Sequence, residues 1–154
     1  MKRLLCGILA VMLLVSMTAC GGSAGVVPNM NDVYASMKAH FPEMEPFNAD
    51  SVLNAYGVKS EDCKQQVVCS YYDGTDTAEI WLIEAVSADA LASIKALAES
   101  RLSSMGSQFQ TYDAKAYALV EKAELITHGN CLALIVAEDA EELASIYKTA
   151  ADLK

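Results

Sequence analysis

The chain has 154 residues, 53% of them hydrophobic, with 11 basic against 20 acidic side chains and a net charge of −9. Such a surface is repelled by phosphate backbones and anionic headgroups, which argues against nucleic acid as a partner and against a fold that lies on the bilayer. Five cysteines in this length do not make a disulfide scaffold.

Lys2 and Arg3 precede sixteen uncharged residues, Leu4 to Ala19. A spanning helix needs about 20 apolar residues, and no basic stop-transfer cluster follows. A charged start, a short apolar core and small exit residues read as a secretory signal. Met17-Thr18-Ala19-Cys20 resembles a bacterial lipobox, with Met17 where Leu is commoner. That resemblance implies cleavage between Ala19 and Cys20, with Cys20 as the acylated first residue. Two acyl chains hold a protein firmly where one binds marginally. An ordinary secretory signal with an incidental cysteine, or a spanning anchor, are the alternatives. Removing residues 1–19 takes Lys2, Arg3 and Cys6 and leaves 135 residues, enough for one domain with its own core.

The stretch from Gly21 to Asn29 reads as a flexible Gly/Ser/Pro spacer. Asn31 is expected to cap a first helix, with Met30, Val33, Met37 and Phe41 on one face and Pro42 as its stop. A short helix follows from about Ala49 to Gly57. QQVVCSYY (65–72) and TAEIWLIEA (77–85) read as strands joined by a DGTD turn. Ile80 and Leu82 share one face and Trp81 and Ile83 the other, so the second strand is expected to be central.

Ser87 is placed to cap a long helix, in which Leu91, Ile94, Ala98, Leu102, Met105 and Phe109 form the strongest helical repeat in the chain. YDAKAYALVEKA (112–123) reads as another helix. ELITHGNCLALIVAE (124–138) reads as a second hairpin, turning at His128-Gly129-Asn130. Asp139 and Glu142 form a capping-box-like pair for a last helix, whose apolar face is Leu143, Ile146 and Ala150. The order ααββααββα predicts a single α+β domain, a mostly antiparallel sheet of about four strands packed by helices. The expected division is a signal peptide at 1–19, a lipidated cysteine and spacer at 20–29, and the domain at 30–154.

A YGV segment is followed by AEIWLIEA, a long helix with Arg101, the Tyr112-centred QTYDAKAYALVEKA and HGNCLALIVAEDAEEL. In these residues the chain resembles the bacterial domain of unknown function 4358, seen in small lipoproteins of Gram-positive bacteria. The resemblance implies a lipid-anchored address and an α+β fold, and no activity.

Chemical motifs are absent. His40 and His128, the two histidines, are far apart, and no C-x-x-C, H-E-x-x-H or EF-hand loop occurs. His40 is read as favouring a helix C-terminus and His128 as an exposed turn residue. No G-x-S-x-G elbow and no Gly-rich phosphate loop is present in the fold. Cys131 and His128 lie three apart with no reason to face each other. Glu43/Glu45 and Glu141/Glu142 read as solvated surface and capping. Cys63, Cys69 and Cys131 allow at most one internal disulfide, and a Cys63–Cys69 bond is not expected.

Arg101 and Tyr112 are the candidate partner contacts, with Tyr71, Tyr72 and Tyr117 nearby in sequence, because Arg and Tyr are enriched where proteins meet. The competing reading has Arg101 covering apolar surface and tying down a carbonyl or carboxylate. The expected function is a non-catalytic, lipid-tethered binding module at the outer face of the cell membrane, without cofactor or metal. Its partner would be an envelope protein, a wall fragment or a small ligand. The alternative is an extracytoplasmic enzyme or accessory subunit without a recognisable motif.

Overall fold

A computed structural model of the chain describes residues 25–41, 44–72 and 77–154. The leader, Ala19, Cys20, Pro42, Glu43 and the DGTD turn lie outside the described residues. Five helices and four strands follow in the order α1 (Met30–Met37), α2 (Ala49–Tyr56), β1 (Cys63–Tyr72), β2 (Thr77–Ala85), α3 (Ala88–Phe109), α4 (Ala114–Glu121), β3 (Glu124–His128), β4 (Cys131–Val136) and α5 (Ala140–Ala150). The fold is α+β, as the element pattern predicts.

The two hairpins abut through their inner strands. The sheet order is β1-β2-β4-β3, with every neighbouring pair antiparallel. β2 and β4 therefore sit at the centre, and every β4 residue is buried. Period-two alternation sends Ala78, Ile80 and Leu82 of β2 to one face, against α1 and α5. It sends Trp81, Ile83 and Ala85 to the other, beneath α2, α3 and α4. Helices cover both faces, which explains why β2 reads as apolar on both.

Helix caps follow local chemistry. Asn29, not Asn31, caps α1: its side chain accepts from the Asn31 and Asp32 amides. The helix tightens into a 3₁₀ turn at Lys38–His40. Ser87 and Asp113 cap α3 and α4. Asp139 makes no side-chain capping bond, so the expected capping box on α5 does not form. The buried face of α5 is Ala140, Leu143, Ala144 and Tyr147, while Ala150 is exposed. The apolar face is rotated from the expected one because Tyr147 buries its ring and still finds a hydrogen bond for its hydroxyl.

Residues 25–29 are held across one end of the sheet. The Val26 amide donates to the Ala151 carbonyl at 2.8 Å. Gln65 on β1 receives the Met30 amide at 3.0 Å and donates to the Pro28 carbonyl at 3.2 Å. His128 on β3 donates from Nε2 to the Val26 carbonyl at 3.1 Å. Nδ1 is paired with the Tyr147 hydroxyl at 3.3 Å; in the neutral ring, a proton on Nε2 leaves the lone pair on Nδ1 to accept from that hydroxyl. His128 is thus a half-buried strand residue rather than an exposed turn residue. Gly25, at φ +30, fits because a Cβ there would fall 2.7 Å from the Ala151 oxygen. Residues 25–29, expected as the second half of a flexible spacer, form this strap instead; residues 20–24 lie outside the described residues.

Candidate binding surface

Glu79 occupies a strand position facing α3, next to Trp81, and is 1% exposed. A buried carboxylate needs a counter-charge and hydrogen bonds, and α3 supplies both. Arg101 Nε lies 3.1 and 3.0 Å from the two Glu79 oxygens, and Nη2 is 2.7 Å from Oε2. Trp81 Nε1 donates to Oε1 at 2.9 Å. Both Glu79 oxygens are therefore committed. The group is a clamp joining β2 to α3, poorly placed to act as a general base.

Tyr56 completes the clamp from α2. The Arg101 guanidinium lies 5.5 Å from its ring centroid, and the Trp81 ring meets it edge-on at 5.0 Å. The Tyr56 hydroxyl donates to Ser70 at 3.0 Å. Burial and the Glu79 charge push the Tyr56 phenol up. Burial works against the charge on Arg101, but the Glu79 hydrogen bonds and negative charge outweigh it, so Arg101 stays above its usual range. The outer edge of the guanidinium meets a cleft of about 200 Å³ lined by Ala55, Tyr56, Leu97, Ser100 and Ser104.

Tyr112 lies elsewhere. Eight residues separate Arg101 from Phe109, about 12 Å along the axis of α3, and Tyr112 lies beyond Phe109. Tyr112 is 64% exposed and Tyr72 is 48% exposed. Both pack on the buried Phe109, at centroid distances of 6.4 and 5.4 Å, with the rings inclined by 74° and 41°. The Tyr72 hydroxyl is 3.5 Å from Asp113 Oδ2, whose other oxygen caps α4 by accepting from the Ala116 amide at 2.9 Å. The structure thus separates Arg101 from Tyr112 and joins Tyr112 to Tyr72. Tyr117 and Tyr71 are half-buried.

Sequence reasoning missed Glu79 as Arg101's partner. The signal was an acid in the middle of the buried run of a strand apolar on both faces, and a base three residues after Ala98 and four before Met105, within the buried stripe of α3.

The remaining chemistry is accounted for locally. His40 Nδ1 lies 3.7 Å from Glu142 Oε2, so His40 meets the first turn of α5 rather than serving only its own helix end. With Asp139 these residues place three potential ligand atoms within 4.8 Å, but both carboxylates are exposed. A groove of about 600 Å³ runs between α1 and α5, lined by residues including Asp32, Val33, Ser36, Ile146 and Thr149. Among the described residues, no buried side-chain polar atom lacks a hydrogen-bond partner.

Cys63, Cys69 and Cys131 are all free thiols. Cys63 and Cys69 pack toward opposite faces of the sheet. Six strand residues, about 20 Å, separate them, far beyond disulfide reach. Burial pushes the thiols up to about 11 for Cys63 and Cys131 and about 12 for Cys69.

Neither a curated protein nor a solved structure matches the chain. Residues 37–137 match the family model described as Domain of unknown function (DUF4358). The match takes in the Glu79–Arg101 clamp, Tyr72, Tyr112 and all four strands, and it covers more than half of the sequence, so the chain belongs to the DUF4358 family.

Proposed function

We propose that this protein is a lipid-anchored extracytoplasmic binding module, non-catalytic, held at the outer face of a Gram-positive cell membrane by acyl chains on Cys20. The observation that carries the binding role is the Tyr72–Phe109–Tyr112 cluster, two tyrosines about half to two-thirds exposed, at 48% and 64%, braced on a buried ring. Tyrosine presents a rigid, amphipathic surface at little entropic cost, which suits it to recognition. The polar groups of the Glu79 clamp are mutually satisfied, which favours a structural role for Arg101.

The anchor rests on the apolar run that ends at Cys20. The strap fits it: Gln65 holds the strap near the start of β1, and Tyr72 ends the same strand about 23 Å away. A tether arriving at Gly25 would leave the tyrosines facing away from the bilayer.

Two measurements test the two halves of the proposal. Metabolic labelling with alkyne palmitate should tag the wild type and leave Cys20→Ala unlabelled; equal labelling of both removes the anchor. Photo-cross-linking from position 112 in intact cells should capture a specific envelope component. Repeated absence of a specific product removes the binding role.

A further inference from the structure

The last turns of α3 and the loop after them differ from the rest of the surface. Residues 102–112 carry no charged side chain, in a chain that is 20% charged. Every exposed side chain from Ser103 to Tyr112 is a hydroxyl or a carboxamide. An ordinary soluble surface would place charges at roughly a third of such positions. The charges at the border, Asp113 and Lys115, are one of each sign.

This composition selects a ligand chemistry. Hydroxyls and carboxamides both donate and accept hydrogen bonds, as sugar hydroxyls and N-acetyl groups do. A charged ligand would find no counter-ion among residues 102–112; Asp113 beside them is engaged by the Tyr72 hydroxyl and the Ala116 amide, and the net charge of −9 repels anionic polymers at longer range. Tyr72 and Tyr112 supply rings onto which the C–H faces of pyranose units can stack. From these features we infer that this end of the protein docks an uncharged glycan strand. The tyrosine rings take the sugar faces, and Gln108, Gln110 and Thr111 take the hydroxyl and N-acetyl groups. The inference rests on the binding-module reading above and names its partner class.

The test is calorimetric titration of the full-length protein in detergent with a β-1,4-linked N-acetylglucosamine tetrasaccharide, with oligolysine and oligoglutamate as charged comparators. The tetrasaccharide should bind saturably and the charged peptides should not. Tyr112→Ala, exposed and therefore expected to fold, should bind about tenfold more weakly, while Tyr112→Phe stays within about twofold. Val86→Ala, at the other end of β2, should bind like the wild type and exclude adsorption to any exposed apolar side chain. Absence of saturable sugar binding, tighter binding of oligolysine, or sugar binding unchanged in Tyr112→Ala overturns the glycan assignment. If the sugar fails while cross-linking from position 112 still captures an envelope protein, the glycan is the wrong partner and the binding module stands.

Discussion

The two faces of the sheet are held by different means. Beneath α1 and α5, contact is almost wholly apolar, with Met30, Met37, Ile80, Leu82, Ile135 and Leu143 at or near zero exposure. Its polar groups are settled by uncharged hydrogen bonds, as where the buried Tyr34 hydroxyl donates to the Met44 carbonyl. Beneath α2, α3 and α4, the apolar layer is interrupted by a carboxylate and a guanidinium. Apolar contact is tolerant of small shape changes, whereas a buried charge tolerates its partner and little else. The first face should therefore yield gradually to mutation and the second abruptly.

The sharpest break should come at the clamp. Arg101→Ala leaves Glu79 buried without its partner and should cost about 3 kcal/mol, measured by urea unfolding. Adding Glu79→Leu to Arg101→Ala should recover most of that loss, because the unpaired charge, more than the missing contact, is what destabilises. A double variant no better than the single would make the two faces alike.

A smaller effect is expected at the strap. Tyr147→Phe leaves His128 Nδ1 without its hydroxyl partner and should cost about 1 kcal/mol. Its effect should add to that of Arg101→Ala, since the residues sit on opposite faces.

The thiols give a pH test that spans both faces. All three are pushed above their ordinary value of 9.0, to about 11 or 12. The folded chain keeps those protons longer than the unfolded chain does. Their contribution is thus complete below about pH 9 and is lost as pH climbs toward 11 to 12. Unfolding midpoints should fall over that window, and Cys69→Ala should flatten the fall. The smallest change belongs to Tyr112→Ala, which should leave the unfolding free energy within about 0.5 kcal/mol of the wild type, as is typical of surface substitutions. A larger drop would make the exposed end part of the core.

What the sequence made legible follows from the range of each interaction. Strand alternation in β2 and the helical repeat of α3 are local periodicities, and both appear where the pattern places them. Glu79 and Arg101 were each visible as misfits, but their contact crosses 22 residues and two elements, and no spacing rule reaches that far. The strap was hidden for another reason. Its bonds use backbone groups of Val26, Pro28 and Met30, which every sequence carries, so a stretch rich in glycine and small residues reads as slack. Tyr147 was overlooked on α5 because a polar tip masks a ring that is fully buried.

Fixing the strap has a consequence for distance. With Val26 fastened to Ala151, a lipid on Cys20 would leave the five steps to Gly25 as leash, at most about 17 Å when fully drawn out. Under the proposed anchor the domain would ride close to the bilayer, and a partner would be met within a shell about one domain deep above the lipid surface.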